Sequence, residues 1–199
     1  DDEYGDRADS MGGSGPRHFN AWEKHQAGWI DAEQFPAVPN QSGSYRYELG
    51  ALELEGGIKG LRIPQSPDAG ADEPLGKEFI LEYRKAIPGD YDETLAAGFL
   101  NGALIHIPWN RGHVDQKTGE TSSAFWHTHL LDMAPDSDDT VLRAGRSWTS
   151  PNEHVKIKVG RKAGDKLVVH VVMGKSSFEK LMQGLWGGVA GAGKGAWDA

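Results

Sequence analysis

At 199 residues the chain has room for one ordinary domain, or one domain and a piece of another. A hydrophobic content of 38%, with 27 glycines and 10 prolines, suits a core built from many short, frequently interrupted segments. A net charge of −8 with no basic stretch argues against nucleic acid or an anionic membrane as partner, and the lack of cysteine excludes disulfides, thiolate metal sites and a Cys nucleophile.

The chain opens with five acidic residues in its first nine positions, Asp1, Asp2, Glu3, Asp6 and Asp9, followed by the turn-forming run Ser10-Met11-Gly12-Gly13. These carboxylates are of the kind Ca²⁺ takes, but their spacing matches no EF-hand loop, so a solvated acidic turn is the simpler expectation. Residues 20 to 28 read as a short helix. Asn20 stands at the N-cap, Glu23 at the capping-box position and Gly28 at the C-terminal left-handed turn, with Trp22 and Trp29 as anchors. "DAEQFPAVPNQSGS", residues 31 to 44, has two prolines and a polar run, and reads as a linker or long crossing loop.

From Ser44 onward the texture changes to short runs of β-branched and aromatic residues cut by turns. "SYRYELGALEL", "IKGLRI", "KEFILEYRK", "GALIHI", "AFWHTHLLDM", "HVKIKV" and "KLVVHVVM" each alternate with period two or stay apolar over strand length. Tyr45, Tyr47 and Leu49 share one face, as do Phe79, Leu81 and Tyr83. Seven or eight such runs without a long helix between them predict a mainly β fold, an antiparallel β-sandwich. "QSPDAGADEPLG" and "NRGHVDQKTGETSS" read as long polar loops. Residues 175–199 pass from a brief amphipathic segment into a Gly-rich tail.

Few residues invite chemistry on their own account. His127 and His129 form the only His-x-His pair, and on a strand they would project from one face about 7 Å apart, a separation a metal can bridge in a cupin-like site. No further Glu or His completes a recognisable shell, so two half-buried sheet histidines are the simpler reading. His18, His25, His106, His113, His154 and His170 are scattered and read as ordinary surface or core residues. "GVAGAGKGAW" lacks the Ser or Thr that a phosphate-binding loop places after its Lys, and "GGSGP" lacks the strand-to-helix context of a nucleophile elbow.

One resemblance links these features. A Met in a tight turn before glycines, preceded by Glu3-Tyr4-Gly5-Asp6 and followed by "FNAWEKHQAGWI", resembles the gametolysin-like zinc metallopeptidases, relatives of the metzincins. The likeness continues through "YRYELGALELEGGIKGLRIP", "KEFILEYRKAI", "GALIHI", "LLDMAPDS" and "LRAGRSWTSP", covering roughly residues 3 to 172. It implies that Met11 lies beneath zinc-binding histidines without touching the metal. It also implies an H-E-x-x-H helix ahead of the turn, whose two His bind zinc and whose Glu polarises the bound water. That motif does not occur in the 199 residues.

The expected organisation is therefore a C-terminal remnant of a peptidase catalytic domain over residues 1–40, with the Met-turn and short helix, then a β-sandwich accessory domain over 41–174 and a Gly-rich tail over 175–199. The expected function is the C-terminal part of a secreted or periplasmic zinc endopeptidase acting on protein or peptide, its leader lying upstream of residue 1. This chain alone is expected to be inactive, to bind no nucleic acid or membrane, and to leave residues 1–40 poorly anchored with Trp22 and Trp29 partly exposed. The alternative is a non-catalytic binding module that presents Trp109, Trp126 and Trp148 to a glycan or peptide.

Overall fold

The computed structural model describes residues 6–12, 15–66, 78–114, 121–134 and 140–174, with the side chains of 109–114 and 121–127 outside that description. The period-two runs become antiparallel strands, and the one α-helix among the described residues, α1 (Ala21–Gln26), is six residues long. Its start follows the expected cap: the Asn20 side chain accepts the Glu23 amide at 3.0 Å, and Gly28 takes φ +74° beyond its end.

Among the described residues nine strands form two sheets, both antiparallel. One runs β1 (Gly43–Leu49), β9 (Lys166–Met173), β8 (Val155–Ala163) and β7 (Ser147–Thr149) in spatial order. The other runs β2 (Gly60–Pro64), β3 (Glu78–Tyr83), β4 (Gly102–Val114) and β5 (Thr121–Leu130), with the two-residue β6 (Leu142–Arg143) beside the start of β4. The hairpin of β4 and β5 takes up much of the stretch expected to be a polar loop, pairing Val114 with Thr121. The other expected long loop lies mostly outside the described residues, and the 175–199 tail does so entirely.

The facing sides of the two sheets share one core. Leu61, Ile63, Phe79, Leu81, Tyr83 and Ile105 from one sheet meet Leu49, Ile157, Val159, Leu167, Val169 and Val171 from the other. Trp148, a candidate ligand-stacking residue in the sequence reading, instead packs edge-on to Phe79 with ring centroids 4.9 Å apart. It is partly buried against this core.

The opposite side of the β2–β5 sheet is covered rather than solvated. β3 shows why: Phe79, Leu81 and Tyr83 point to the shared core, but Ile80, Glu82 and, just beyond the strand, Arg84 on the other side are also fully buried. Ile80 packs with Ala21, Trp22, Ile30, Phe35 and Leu52, and Leu104 of β4 packs with Ala8, Leu95 and Val141. The cover is thus supplied by the opening segment and the loop that follows β3. Residues 34–38, expected to be a linker, lie along the free edge of β2: Val38 donates its amide to the Arg62 carbonyl at 2.7 Å, and Arg62 donates to the Pro36 carbonyl at 3.0 Å. Approach is so close at Gly60 that an added Cβ would stand 2.8 Å from Phe35 and 2.9 Å from Ala21.

These contacts cross the boundary expected between residues 40 and 41. Trp22, expected to be partly exposed, is buried beneath the helix at 9% exposure, whereas Trp29 is 61% exposed and touches Phe19 edge-on. The difference arises because the apolar side of α1 packs on Ile80 and Leu52, on and beside the sheet.

Candidate functional site

The turn that carries Met11 is built from its own carboxylates. Asp9 donates its amide to the Asp6 carbonyl and Gly12 donates to the Asp9 carbonyl, both at 3.2 Å. Asp6 Oδ1 accepts from the Ala8 amide at 3.0 Å and Asp9 Oδ1 from the Met11 amide at 2.7 Å. Any Cβ at Gly12 would collide with the Asp6 carbonyl, so the turn requires glycine there. Met11 itself is 66% exposed, a long apolar side chain on a tightly bonded turn.

Asp6 and Asp9 are not the solvated acidic residues the composition suggested. Asp9 is 2% exposed, and its Oδ2 accepts the Asn20 amide at 2.6 Å. It thus takes the amide that a capping-box Glu23 would otherwise bind. Glu23 hydrogen-bonds Asp9 instead, and its carboxyl, driven first by burial and then by the Asp9 charge, is pushed up to about 8. Asp9 is raised too, chiefly by burial.

Beneath the turn runs a chain of buried charges. Asp6 Oδ2 lies 3.2 Å from His106 Nδ1, and His106 Nε2 lies 3.5 Å from Glu82 Oε1. Both contacts act through charge, since neither is aligned as a hydrogen bond. Glu82 Oε1 also accepts from Arg84 Nε at 2.7 Å, while its Oε2 accepts the Ala21 amide at 2.6 Å. Arg84 continues to Asp92 Oδ2 at 2.5 Å, and its NH2 nitrogen reaches the His18 carbonyl at 3.4 Å. Asp92 Oδ1 accepts the His18 amide at 3.1 Å, and Glu53, on Asp92's far side, accepts the Lys85 amide at 3.1 Å. His18 Nε2 pairs with Asp90 at 2.8 Å.

The side chains of Glu82, Arg84 and His106 are wholly inaccessible to solvent, so their charges survive only by mutual compensation. Burial alone would lower the His106 pKa, but the Glu82 charge and the Asp6 contact outweigh it and push the ring up to about 10. Burial alone would raise Glu82, yet Arg84 and His106 hold it well below the usual carboxylate range. Glu53, desolvated and hydrogen-bonded to Asp92, is pushed up to about 8 despite Arg84.

These shifts give stability a definite pH dependence. Glu23 and Glu53, ordinarily at 4.5, stay protonated in the folded chain to about 8, so their contribution is full below 4.5 and is lost as pH rises through 8. His106, ordinarily at 6.5, contributes fully below that pH and loses its contribution as pH rises through about 10. Glu82 works in the opposite sense: its contribution is present above 4.5 and disappears on strong acidification. The melting temperature should therefore peak near pH 5 and decline steadily toward pH 9. Calorimetric scans across that range check this, and a flat or rising profile from pH 5 to 9 would contradict it.

Of the residues singled out in the sequence, Met11 lies at the turn above this network, while His127 and His129 lie on β5, their backbones paired with Trp109 and Ile107. Thr128, between them in sequence, meets the opening segment, accepting from Asn20 Nδ2 at 2.8 Å. The side chains of His127, Trp109 and Trp126 are outside the described residues. Among the described residues no group of three or more His, Asp or Glu is arranged to hold a metal ion. No helix among them is long and apolar enough to cross a membrane. The sequence reading passed over Glu53, Glu82, Arg84 and Asp92 and took His106 for an ordinary surface or core histidine. The signal available was the apolar residue beside each charge on the supposed outer face, Ile80 before Glu82 and Leu104 before His106. Comparison with protein-family models, with curated proteins and with solved structures found no match to this chain.

Proposed function

We propose that the chain is the C-terminal part of a secreted zinc endopeptidase of the gametolysin-like kind, with residues 6–12 forming the floor of the metal site and the two sheets supporting it. The observation that carries this reading is the Met11 turn. Asp9 fixes the Met11 amide, Gly12 admits no side chain, and the thioether is left at the surface on a rigid base rather than drawn into a core. A methionine placed only to fill a gap would be buried.

The described residues do not supply a zinc ligand set, so no step of hydrolysis is assigned to them. On the resemblance, ligands and general base belong to an H-E-x-x-H helix that the 199 residues do not contain. The part played by this chain is to hold the turn: its carboxylates bond the turn internally, and the buried charges beneath fix it to the sheet.

The expected outcome is that the 199-residue chain alone neither cleaves casein nor binds zinc more tightly than about micromolar in calorimetry, well short of structural zinc sites. Joined to the sequence encoded ahead of it, it should do both, with cleavage abolished by a zinc chelator and restored by zinc. A stoichiometric nanomolar site in the chain alone, or the lack of an encoded H-E-x-x-H ahead of residue 1, would overturn the reading. The first of these results would bring His127 and His129 forward as ligands.

A further inference from the structure

We infer that His106 is a positioning residue for the Met11 turn: a buried histidine on β4, about a hundred residues downstream, through which the sheet fixes the segment carrying Met11. The importance of this for catalysis rests on the reading of that turn as the floor of a metal site; the geometric claim does not.

The argument starts from how the turn is attached. Its internal bonds give it shape but not position, since all of them run between residues 6 and 12. Among the described residues, and besides the Glu23 carboxyl that reaches Asp9 from within the opening segment, three attachments fix it in space. Ala8 packs with Leu95, Leu104 and Val141; Asp9 Oδ2 holds the Asn20 amide; and Asp6 Oδ2 faces His106 Nδ1. The first is a single small side chain, and the second ties the turn only to another part of the opening segment. The third is the turn's charged link to the sheet among the described residues.

His106 can serve this purpose because its other side is also fixed. Glu82 lies across the ring at Nε2, and its own position is set by Arg84 and the Ala21 amide. Displacing His106 would leave Asp6 and Glu82, two carboxylates with almost no access to water, facing one another without the cation between them. Asp6 has an alternative that Glu82 lacks, because it lies on a surface turn that can swing outward. Loss of His106 should therefore release the turn while the sheet stays paired.

The test is native-state hydrogen exchange on the full chain, comparing the parent with Asp6→Asn, His106→Gln and the double variant. The expected result is exchange faster by about tenfold or more at the amides of Asp9, Met11 and Gly12 in each single variant, clearly exceeding any change at the β8 and β9 amides. The double variant should be no faster at the turn than His106→Gln, because both changes break one link. Turn amides as slow in both single variants as in the parent would overturn the proposal. So would acceleration shared equally by β8 and β9, which would mean a general loss of stability. If His106→Gln fails to fold, Asp6→Asn, which keeps the His106–Glu82 contact, decides between the same two outcomes. Neither zinc nor hydrolysis enters this measurement, so its failure and that of the peptidase reading are distinguished.

Discussion

Replacing Arg84 with Met is expected to lower the stability of the chain by about 3–5 kcal/mol, the usual result of removing one partner from a buried ion pair. Arg84 is fully buried, and it is the cation shared by Glu82 at 2.7 Å and Asp92 at 2.5 Å. Methionine fills much of the same volume and keeps the apolar part of the packing, so the loss isolates the charge. Two carboxylates would remain in a dry interior, one already facing His106 and the other hydrogen-bonded to Glu53. At about 2–4 °C per kcal/mol for a chain of this size, the melting temperature should fall by roughly 6–20 °C. Asp165→Asn is the matched control. It removes a 2.6 Å ion pair to Lys85 in which Asp165 lies in open water, and it should leave the melting temperature where it is. Equal effects of the two substitutions would show that the buried network is not what joins these elements.

The fold was legible in the sequence wherever one face of a strand decided its burial. β1, β3, β8 and β9 sit in the runs picked out by alternation, and the Asn20 cap and Gly28 turn delimit α1 as their chemistry requires. The β4–β5 hairpin was less visible because polar residues such as Asn110, His113 and Thr121 occupy its far end and mimic a loop. β6 and β7, at two and three residues, are too short to show a period.

The site was illegible for a different reason. In "KEFILEYRK" the alternation Phe79, Leu81, Tyr83 suggests that the intervening residues face water, and Glu82 and Arg84 look at home there. Only Ile80 disagrees. A strand buried on both faces normally reads as continuously apolar, and here ion pairs stand in for half of that apolar face. His106 was hidden in the same way between Ile105 and Ile107, as one of several scattered histidines. Asp6 and Asp9 were masked by their acidic neighbours in sequence, although the fold separates them by burying Asp9 and half-burying Asp6 beside the sheet.

The resemblance that organises the functional reading places residues 1–40 in one domain and 41–174 in another, whereas the observed packing ties the opening segment to the sheet at every level. Trp22, Ile30, Phe35 and Val38 are buried, each worth about 1.5–3 kcal/mol in transfer from water. The partners they cover, Ile80 and Leu52, would face solvent without them. So would His106, Glu82 and Arg84, which would lose Asp6, the Ala21 amide and the His18 carbonyl respectively. β2 would lose the backbone bonds along its free edge as well. The shared core between the sheets is extensive, but one of its two sheets is stable only if its outer face is covered.

The measurement that tests this most directly is a thermal melt, followed by far-ultraviolet circular dichroism, of a fragment of residues 42 to 174 beside the full 199-residue chain. The full chain should melt in one cooperative transition, and the fragment should show none, because the face that carries Ile80, Glu82, Arg84 and His106 has lost its cover. A fragment with a β-type spectrum and a cooperative melt within a few degrees of the full chain would contradict the account. The opening segment would then be an appendage on an independent two-sheet domain, and the buried charges beneath the Met11 turn would not be what joins them.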